Sequence, residues 1–255
     1  MEESSHNSGQ LHGSEAINPY DDKRPKTEQV KDMFDSIAPA YDFMNRCMTL
    51  GIDKLWRRRA VKMVAESKPY RILDVATGTG DLAINLAHNT SADEVVGLDL
   101  SEKMLEVGRQ KVETAGLTHC VTFIQGDCLA LPFPDESFDC ITVAYGVRNF
   151  ACLLDGYKEM YRVLRHGGML CVVELSTPRG RIVRPLYNFY TKRVIPWLGR
   201  LVSKDVRAYS YLPESIAAVA QGEDMLDLMK QAGFADVAWR PMTFGTCSIY
   251  TGYKR

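Results

Sequence analysis

The sequence predicts an α/β protein whose core is a doubly wound, mostly parallel sheet. Three observations carry that prediction. Five short apolar segments alternate with helical ones between residues 71 and 175, the first of them runs into a glycine-rich turn, and the chain closes on two alternating segments that read as an antiparallel hairpin.

The elements begin after a polar stretch. Residues 1–28 are rich in Ser, Asn, Gly, Glu and Asp without apolar periodicity, and read as a disordered arm. From Val30 the apolar spacing turns helical (Val30, Met33, Phe34, Ile37, then Tyr41 and Met44) and is broken by Pro39; a second helix runs through Trp56, Ala60, Val61 and Val64. RILDV (71–75) is the first strand, ATGTGD the turn behind it, and Leu82, Ala83, Leu86 and Ala87 the apolar stripe of the next helix. EVVGLDL (94–100) is the second strand, and the helix after it starts on Ser101 as N-cap and stops at Gly116. VTFIQGD (121–127) and FDCITVAY (138–145) are the third and fourth strands, separated by the turn-rich LPFPDES. A helix through Leu153, Tyr157, Met160, Tyr161 and Leu164 and a turn at RHGG lead to the fifth strand, MLCVVEL (169–175). Residues 179–221 break the rhythm with a basic, aromatic, helical insertion punctuated by Pro185, Pro196 and Pro213. EDMLDLMKQAG (223–233) is the last helix, and ADVAWRPM (235–242) pairs with TCSIYTGYKR (246–255) across Phe244-Gly245.

Composition narrows the function classes. With 255 residues, 45% apolar and 25% charged, the chain can bury a sizeable core, so disorder of the whole chain is excluded. A net charge of −1 speaks against a general nucleic-acid binder, although an average can hide a local patch. The seven cysteines form no CxxC pair and no Cys/His cluster at metal-ligand spacing, so no metal is expected; they read as small buried hydrophobes in a reducing compartment. The first residues, MEESSHNSGQ, lack the basic start and apolar run of a secretory signal, and no stretch approaches the length of a membrane span. The expected location is the cytoplasm.

DVATGTGD, Asp74 to Asp81, carries the chemistry. At the carboxyl end of the first strand, Gly78 and Gly80 let the backbone turn tightly and approach a ligand. Dinucleotide and S-adenosylmethionine sites share this feature; Ala83 could serve as the third small residue of the dinucleotide fingerprint, but a pyrophosphate would meet the Asp81 carboxylate, which a sulfonium and an ammonium tolerate. Asp99, ending the second strand, can accept hydrogen bonds from ribose hydroxyls, or else cap the following helix. Asp127 can meet an adenine amino group and the Cys128 backbone the base edge, or Asp127 is a plain turn acid. After the fourth strand, AYGVRNF (144–150) puts Arg148 and Asn149 in a loop beside the expected methyl donor, against the alternative of an Arg paired with a structural acid.

These residues, with FDSIAPAYDFMN (34–45), LPFPDESFDCIT (131–142), YRVLRHGG (161–168) and YSYLPES (209–215), are similar to the ubiquinone/menaquinone biosynthesis C-methyltransferase family over about Val30 to Arg255. The resemblance implies a class I S-adenosylmethionine-dependent methyltransferase fold, Rossmann-like, with seven strands in the order 3-2-1-4-5-7-6. It implies S-adenosyl-L-methionine as cofactor and methylation of a ring carbon of a prenylated quinol, demethylmenaquinol to menaquinol, with the benzoquinol of ubiquinone synthesis as the alternative ring. Cofactor positions carried over are Asp74, Gly78, Thr79 and Gly80 in the turn, then Asp99, Asp127, Cys128 and Ala144, where Ala144 replaces a serine common in the family. Residues 29–255 are the methyltransferase domain, with 29–67 resembling a lid and 179–221 an insertion. Two other classes stay in view: an NAD(P)-dependent oxidoreductase and a non-catalytic binder of S-adenosylmethionine.

Methylating a ring carbon requires a deprotonated hydroxyl beside it and later loss of the ring proton. Arg148 is too basic to take a proton but suits a phenolate, and Asn149 can donate beside it. Tyr41 and Asp42 in the lid are candidates for the proton path, or else a core aromatic and its capping neighbour. Residues 179–207 hold eight Lys and Arg against Asp205 alone, +7 locally, which leaves −8 for the rest. Basic side chains interleaved with Leu186, Tyr187, Phe189 and Trp197 fit either a helix lying on anionic lipid or a packed helix with a basic face. The expected partners are thus a prenylated quinol, an anionic membrane at the inner face of the plasma membrane and, as an option, a homodimer; no nucleic acid is expected.

Overall fold

In the computed structural model, which describes residues 13–181, 183–195 and 206–255, one seven-stranded sheet organises the chain. Its strands are β1 (Arg71–Val75), β2 (Glu94–Asp99), β3 (Val121–Gln125), β4 (Phe138–Ala144), β5 (Leu164–Leu175), β6 (Ala235–Met242) and β7 (Cys247–Tyr253), in the order β3-β2-β1-β4-β5-β7-β6. The first five are parallel, and β7 runs antiparallel to both β5 and β6. The helices are α1 (Lys26–Ile37), α2 (Tyr41–Thr49), α3 (Asp53–Glu66), α4 (Asp81–Asn89), α5 (Glu102–Thr114), α6 (Leu153–Val163), α7 (Val183–Phe189), α8 (Val206–Ala218) and α9 (Glu223–Gln231).

The period-two alternation of the strands sends alternate residues into different layers. Leu73, Val75, Ile141 and Val143 pack with Tyr157 and Met160 of α6 and Met225 and Met229 of α9. Ile72, Val95, Cys140 and Cys171 pack with Trp56, Ala60 and Val64 of α3 and Leu82 and Leu86 of α4. A third cluster joins Met33, Ile37 and Met44 of α1 and α2 to Ala208 and Tyr211 of α8, over the carboxyl ends of the strands. The crossovers therefore put the turns after β1, β2, β3 and β4 side by side under this helical cover.

Three expectations change. The disordered arm, whose residues 1–12 lie outside the described residues, gives way from Gly13 to packed chain: a 3-10 turn at Gly13–Ala16 buries Ser14. Polar contacts hold it there, which apolar periodicity cannot reveal: Glu15 accepts the Leu153 N–H (2.7 Å), and Arg207 Nε donates to the Pro19 carbonyl (2.9 Å). RHGG is not a turn ahead of the fifth strand but an irregularity inside β5, between its pairings Phe138 with Leu164 and Cys140 with Met169. In the insertion, α7 continues into a π-helical turn at Tyr190–Val194, and α8 contains Pro213; Pro196 lies outside the described residues. No helix among the described residues is long and apolar enough to cross a membrane.

Candidate active site

Three cavities meet at the carboxyl ends of β1 and β4. The first, about 630 Å³, is lined by Gly78, Asp99, Asp127, Cys128, Ala144 and Asn149 among others, with α1 as part of its cover. No Lys or Arg lines it, and two carboxylates do. Asp99 is fixed by two backbone donors: Oδ2 accepts the Gly78 N–H (2.8 Å) and Oδ1 the Ser101 N–H (2.9 Å). Burial pushes its carboxyl up to about 6 against the pull of these two hydrogen bonds. Asp127 accepts the Leu129 N–H (2.9 Å), so it shapes its turn and also borders the cavity. Burial raises the Cys128 thiol well above its ordinary range, which keeps it neutral. Such a lining suits hydroxyl and amino donors with a flat apolar ring and repels a pyrophosphate.

The Gly-rich turn is built for closeness. Gly78 and Gly80 have φ of +58° and +75°, and a Cβ on Gly80 would stand 2.5 Å from the Phe123 ring. Asp74 stands behind the turn instead of lining the first cavity: its oxygens accept the hydroxyls of Thr142 and Thr77, both at 2.6 Å, and burial raises its carboxyl to about 6. Together with Thr79, Asp81 and Arg57 it borders a smaller cavity of about 360 Å³ between the turn and α2.

Asp81 corrects the charge argument made from the sequence. Its carboxylate is bonded to Lys111 and lies 3.2 Å from Arg57, which also pairs with Asp53, so it does not stand free at the helix terminus. The case against a dinucleotide passes to Asp127, which lines the first cavity without a cation beside it, since an acid at Asp99 serves a ribose in either cofactor class.

A larger opening, about 1020 Å³, lies between α2, α3, the α7 segment and α8, and its lining includes Trp56, Leu175, Tyr187, Tyr190 and Ile195. Arg148 is buried in its wall, in a 3-10 turn at Val147–Asn149. Its Nη1 donates to Glu174 Oε1 (2.9 Å) and to the Tyr145 carbonyl, and its backbone N–H to Glu174 Oε2 (3.3 Å); Nε has no partner among the described residues. Burial opposes the guanidinium charge, but the Glu174 carboxylate more than offsets that, and Arg148 is held above its ordinary range. The acid-paired Arg and the cavity-facing Arg are thus one arrangement. Asn149 turns instead toward the first cavity, with its buried Oδ1 unpartnered among the described residues.

Tyr41 borders all three cavities, edge-on to Phe34 with ring centroids 6.0 Å apart. Burial raises its hydroxyl despite the nearby Arg148 charge, so at neutral pH it is a donor and not a base. Asp42 is engaged elsewhere: it accepts Thr79 Oγ1 (2.6 Å) and pairs with Lys111 (2.9 Å), which clasps α2 to the turn after β1.

Four residues that border or support the site escaped the sequence reading. Arg57 was hidden in the basic run WRRR, and Lys111 in an ordinary amphipathic helix. Glu174 had a usable signal, a lone acid at the carboxyl end of an apolar strand. Tyr145, a strand end by its sequence, borders all three cavities at φ +61°, and its buried hydroxyl has no partner among the described residues.

A sheet in this order, with a glycine turn after β1 and acids after β2 and β3, is that of a class I S-adenosylmethionine-dependent methyltransferase. The family comparison is more specific, and residues 22–254 match the ubiE/COQ5 methyltransferase family, to which this chain belongs. It is 48% identical over 240 residues to the demethylmenaquinone methyltransferase of Bacteroides fragilis, covering 94% of this chain and 98% of the relative. It is 45% identical over 230 residues to the ubiquinone/menaquinone biosynthesis C-methyltransferase UbiE of Geobacter sulfurreducens, covering 90% of each. Among solved structures, the [4+2]-cyclase SpnF superposes with a TM-score of 0.66 at 18% identity, covering 91% of this chain and 98% of SpnF. An S-adenosylmethionine-dependent methyltransferase of Thermotoga maritima gives 0.62 at 21%, covering 88% and 99%. A cyclase on the same fold shows that the fold alone does not set the reaction.

Proposed function

We propose that this protein methylates a ring carbon of a prenylated quinol, with demethylmenaquinol as substrate and S-adenosyl-L-methionine as methyl donor. The observation that carries the reading is the meeting of an acidic, cation-free cavity and a large apolar one at Tyr41 and Tyr145, with a buried arginine in the apolar wall. The names of the relatives from Bacteroides fragilis and Deinococcus radiodurans, the latter 43% identical over 237 residues, favour the naphthoquinol over the benzoquinol ring.

In this reading Asp99 receives the ribose hydroxyls, Asp127 the adenine amino group, and Ala144 and Cys128 flank the base. Arg57 faces the carboxylate of the amino-acid end in the smaller cavity, with Asp74 and Thr79 behind it. When bound, S-adenosylmethionine supplies an electrophilic methyl group. Arg148, fixed by Glu174, holds the quinol oxygen as phenolate and so favours the carbon nucleophile ortho to it. Tyr41 closes the junction and donates a hydrogen bond, and Asn149 orients the cofactor side. Asp42 acts as a positioning residue through its clasp on Thr79 and Lys111. The ring proton leaves to water in the larger cavity.

The protein works in the cytoplasm, in peripheral contact with the inner face of the membrane through the basic segment 179–207, of which 182 and 196–205 lie outside the described residues, because a prenyl tail stays in lipid. A transfer assay with labelled S-adenosylmethionine and both reduced precursors tests the reading. Methylation of the naphthoquinol that Arg148→Ala abolishes, with S-adenosylhomocysteine binding retained, is the expected result. Transfer to neither quinol would overturn it.

A further inference from the structure

The four most exposed large apolar side chains among the described residues are Phe244 (82%), Leu50 (75%), Leu186 (75%) and Phe189 (65%). Leu50 lines the larger cavity, Phe244 follows its lining residue Thr243, and Leu186 and Phe189 immediately precede its lining residues Tyr187 and Tyr190; Phe244 also lines a second cavity, of about 760 Å³, with Arg179 and Trp239. The two sides of the mouth are tied together, because the Tyr190 hydroxyl donates to the carbonyls of Cys47 and Met48 (both 3.2 Å), just before Leu50. Thr243 is tied to the cavity wall by Trp56 Nε1 at 2.8 Å.

Helical spacing separates two faces of the α7 segment. Tyr187, Tyr190 and Thr191 face the cavity, whereas Leu186, Phe189 and Arg193, at i, i+3 and i+7, face outward. Leu50 and Phe244 also sit in left-handed backbone, with φ of 52° and 57°, a conformation that bulky side chains rarely adopt. Along the α7 side of the rim the charge has one sign. Arg179, Arg181, Arg184, Lys192 and Arg193 fall between residues 179 and 195 without a single acid, and none of the four arginines makes an ion pair among the described residues.

We propose that the rim formed by Leu50, Leu186, Phe189 and Phe244, with Arg184 and Arg193 beside it, is a docking face for an anionic lipid bilayer, seated so that the mouth of the quinol cavity opens into the acyl region. The apolar side chains enter the acyl boundary while the arginines reach phospholipid headgroups. The prenyl tail then remains in lipid while the ring advances to Tyr41 and Arg148. This deepens the membrane reading by naming the face, and it rests on the larger cavity being the quinol site.

The test uses the full chain with vesicles of phosphatidylcholine alone or with one-third phosphatidylglycerol. Co-sedimentation is expected only with the anionic vesicles, weakening as salt rises. Leu186→Ser/Phe189→Ser/Phe244→Ser should lower vesicle affinity at least tenfold and slow methylation of a long-chain quinol in vesicles. It should leave the rate on a tail-less quinol in solution within twofold. Arg184→Ala/Arg193→Ala should remove most of the salt-sensitive part. Unchanged vesicle affinity in the triple variant, or full turnover of the vesicle-borne quinol without any co-sedimentation, would overturn the proposal. A concentration-dependent dimer abolished by the same three changes would assign the rim to a second copy and overturn it as well. Should the parent methylate neither quinol, the substrate reading fails, and the sedimentation data still decide the docking face.

Discussion

Replacing Glu174 with alanine should be among the most damaging single changes in this chain. The carboxylate is 1% exposed and receives three donors: Arg148 Nη1 at 2.9 Å, the Arg148 N–H at 3.3 Å and the Leu175 N–H at 2.8 Å. Its removal strands a guanidinium whose side chain is only 8% exposed, in a wall with no other carboxylate paired to it among the described residues. Breaking a buried pair on one side costs about 3–5 kcal/mol, a large share of the roughly 5–15 kcal/mol that holds a domain together. Urea unfolding at pH 7, read as the shift in midpoint at unchanged slope, measures this directly. Arg148→Met/Glu174→Leu removes both charges at similar volume, and should recover most of the lost stability while turnover stays at least 100-fold down. Neither residue lines the cavity proposed for the cofactor, so S-adenosylhomocysteine should bind the double variant within about threefold of the parent. A loss under about 1 kcal/mol for Glu174→Ala would refute the reasoning, because Arg148 would then have found another partner.

Asp74 and Asp99 both have folded-state values raised to about 6, so below that pH the folded chain holds protons that the unfolded chain releases down to about 4. Their burial therefore costs stability above pH 6, on the order of 2–3 kcal/mol each, and the cost is relieved as pH falls toward 4. Thermal midpoints of the cofactor-free protein should show that trend, and Asp99→Asn should flatten it. Because a protonated Asp99 loses acceptor capacity, S-adenosylhomocysteine affinity should fall as pH drops below about 6, as read by calorimetric titration. Tyr145→Phe removes a buried hydroxyl with no partner among the described residues; stability should hold or rise by about 1 kcal/mol while the quinol KM rises. Asp42→Ala opens the clasp to Thr79 and Lys111, and cofactor affinity should weaken several-fold with little change in the thermal midpoint. A tighter complex would count against the clasp.

The alternation of apolar strands and amphipathic helices was enough to anticipate the layers, and with the family resemblance the strand order, because each strand's burial period is local. The turns after β1, β2, β3 and β4 followed from where such strands must end. What stayed hidden depended on pairs distant in the chain. Asp42 meets Lys111 across 69 residues and Arg148 meets Glu174 across 26, and neither spacing leaves a periodic trace. Asp81 shows how a sound electrostatic argument goes astray without coordinates. Sequence alone leaves its charge free, yet Lys111 and Arg57, each shared with a second carboxylate, hold it in a network of ion pairs. Leu50 and Phe244 were likewise invisible as a surface, since only the fold brings a helix end and a hairpin turn to one rim.

Tyr41 and Tyr145 border both the acidic cavity and the large apolar one, whose remaining walls are separate: α1 and the turns after β2 and β3 on one side, α2, α3, the α7 segment and α8 on the other. In the proposed function the two reactants thus approach one point through different walls. Neither must depart to let the other enter, which implies a kinetic scheme open to either order of addition. With the proposed docking face on a bilayer, spent cofactor would exchange through the first cavity while the second stays against lipid, so that the enzyme turns over many times per encounter with that surface.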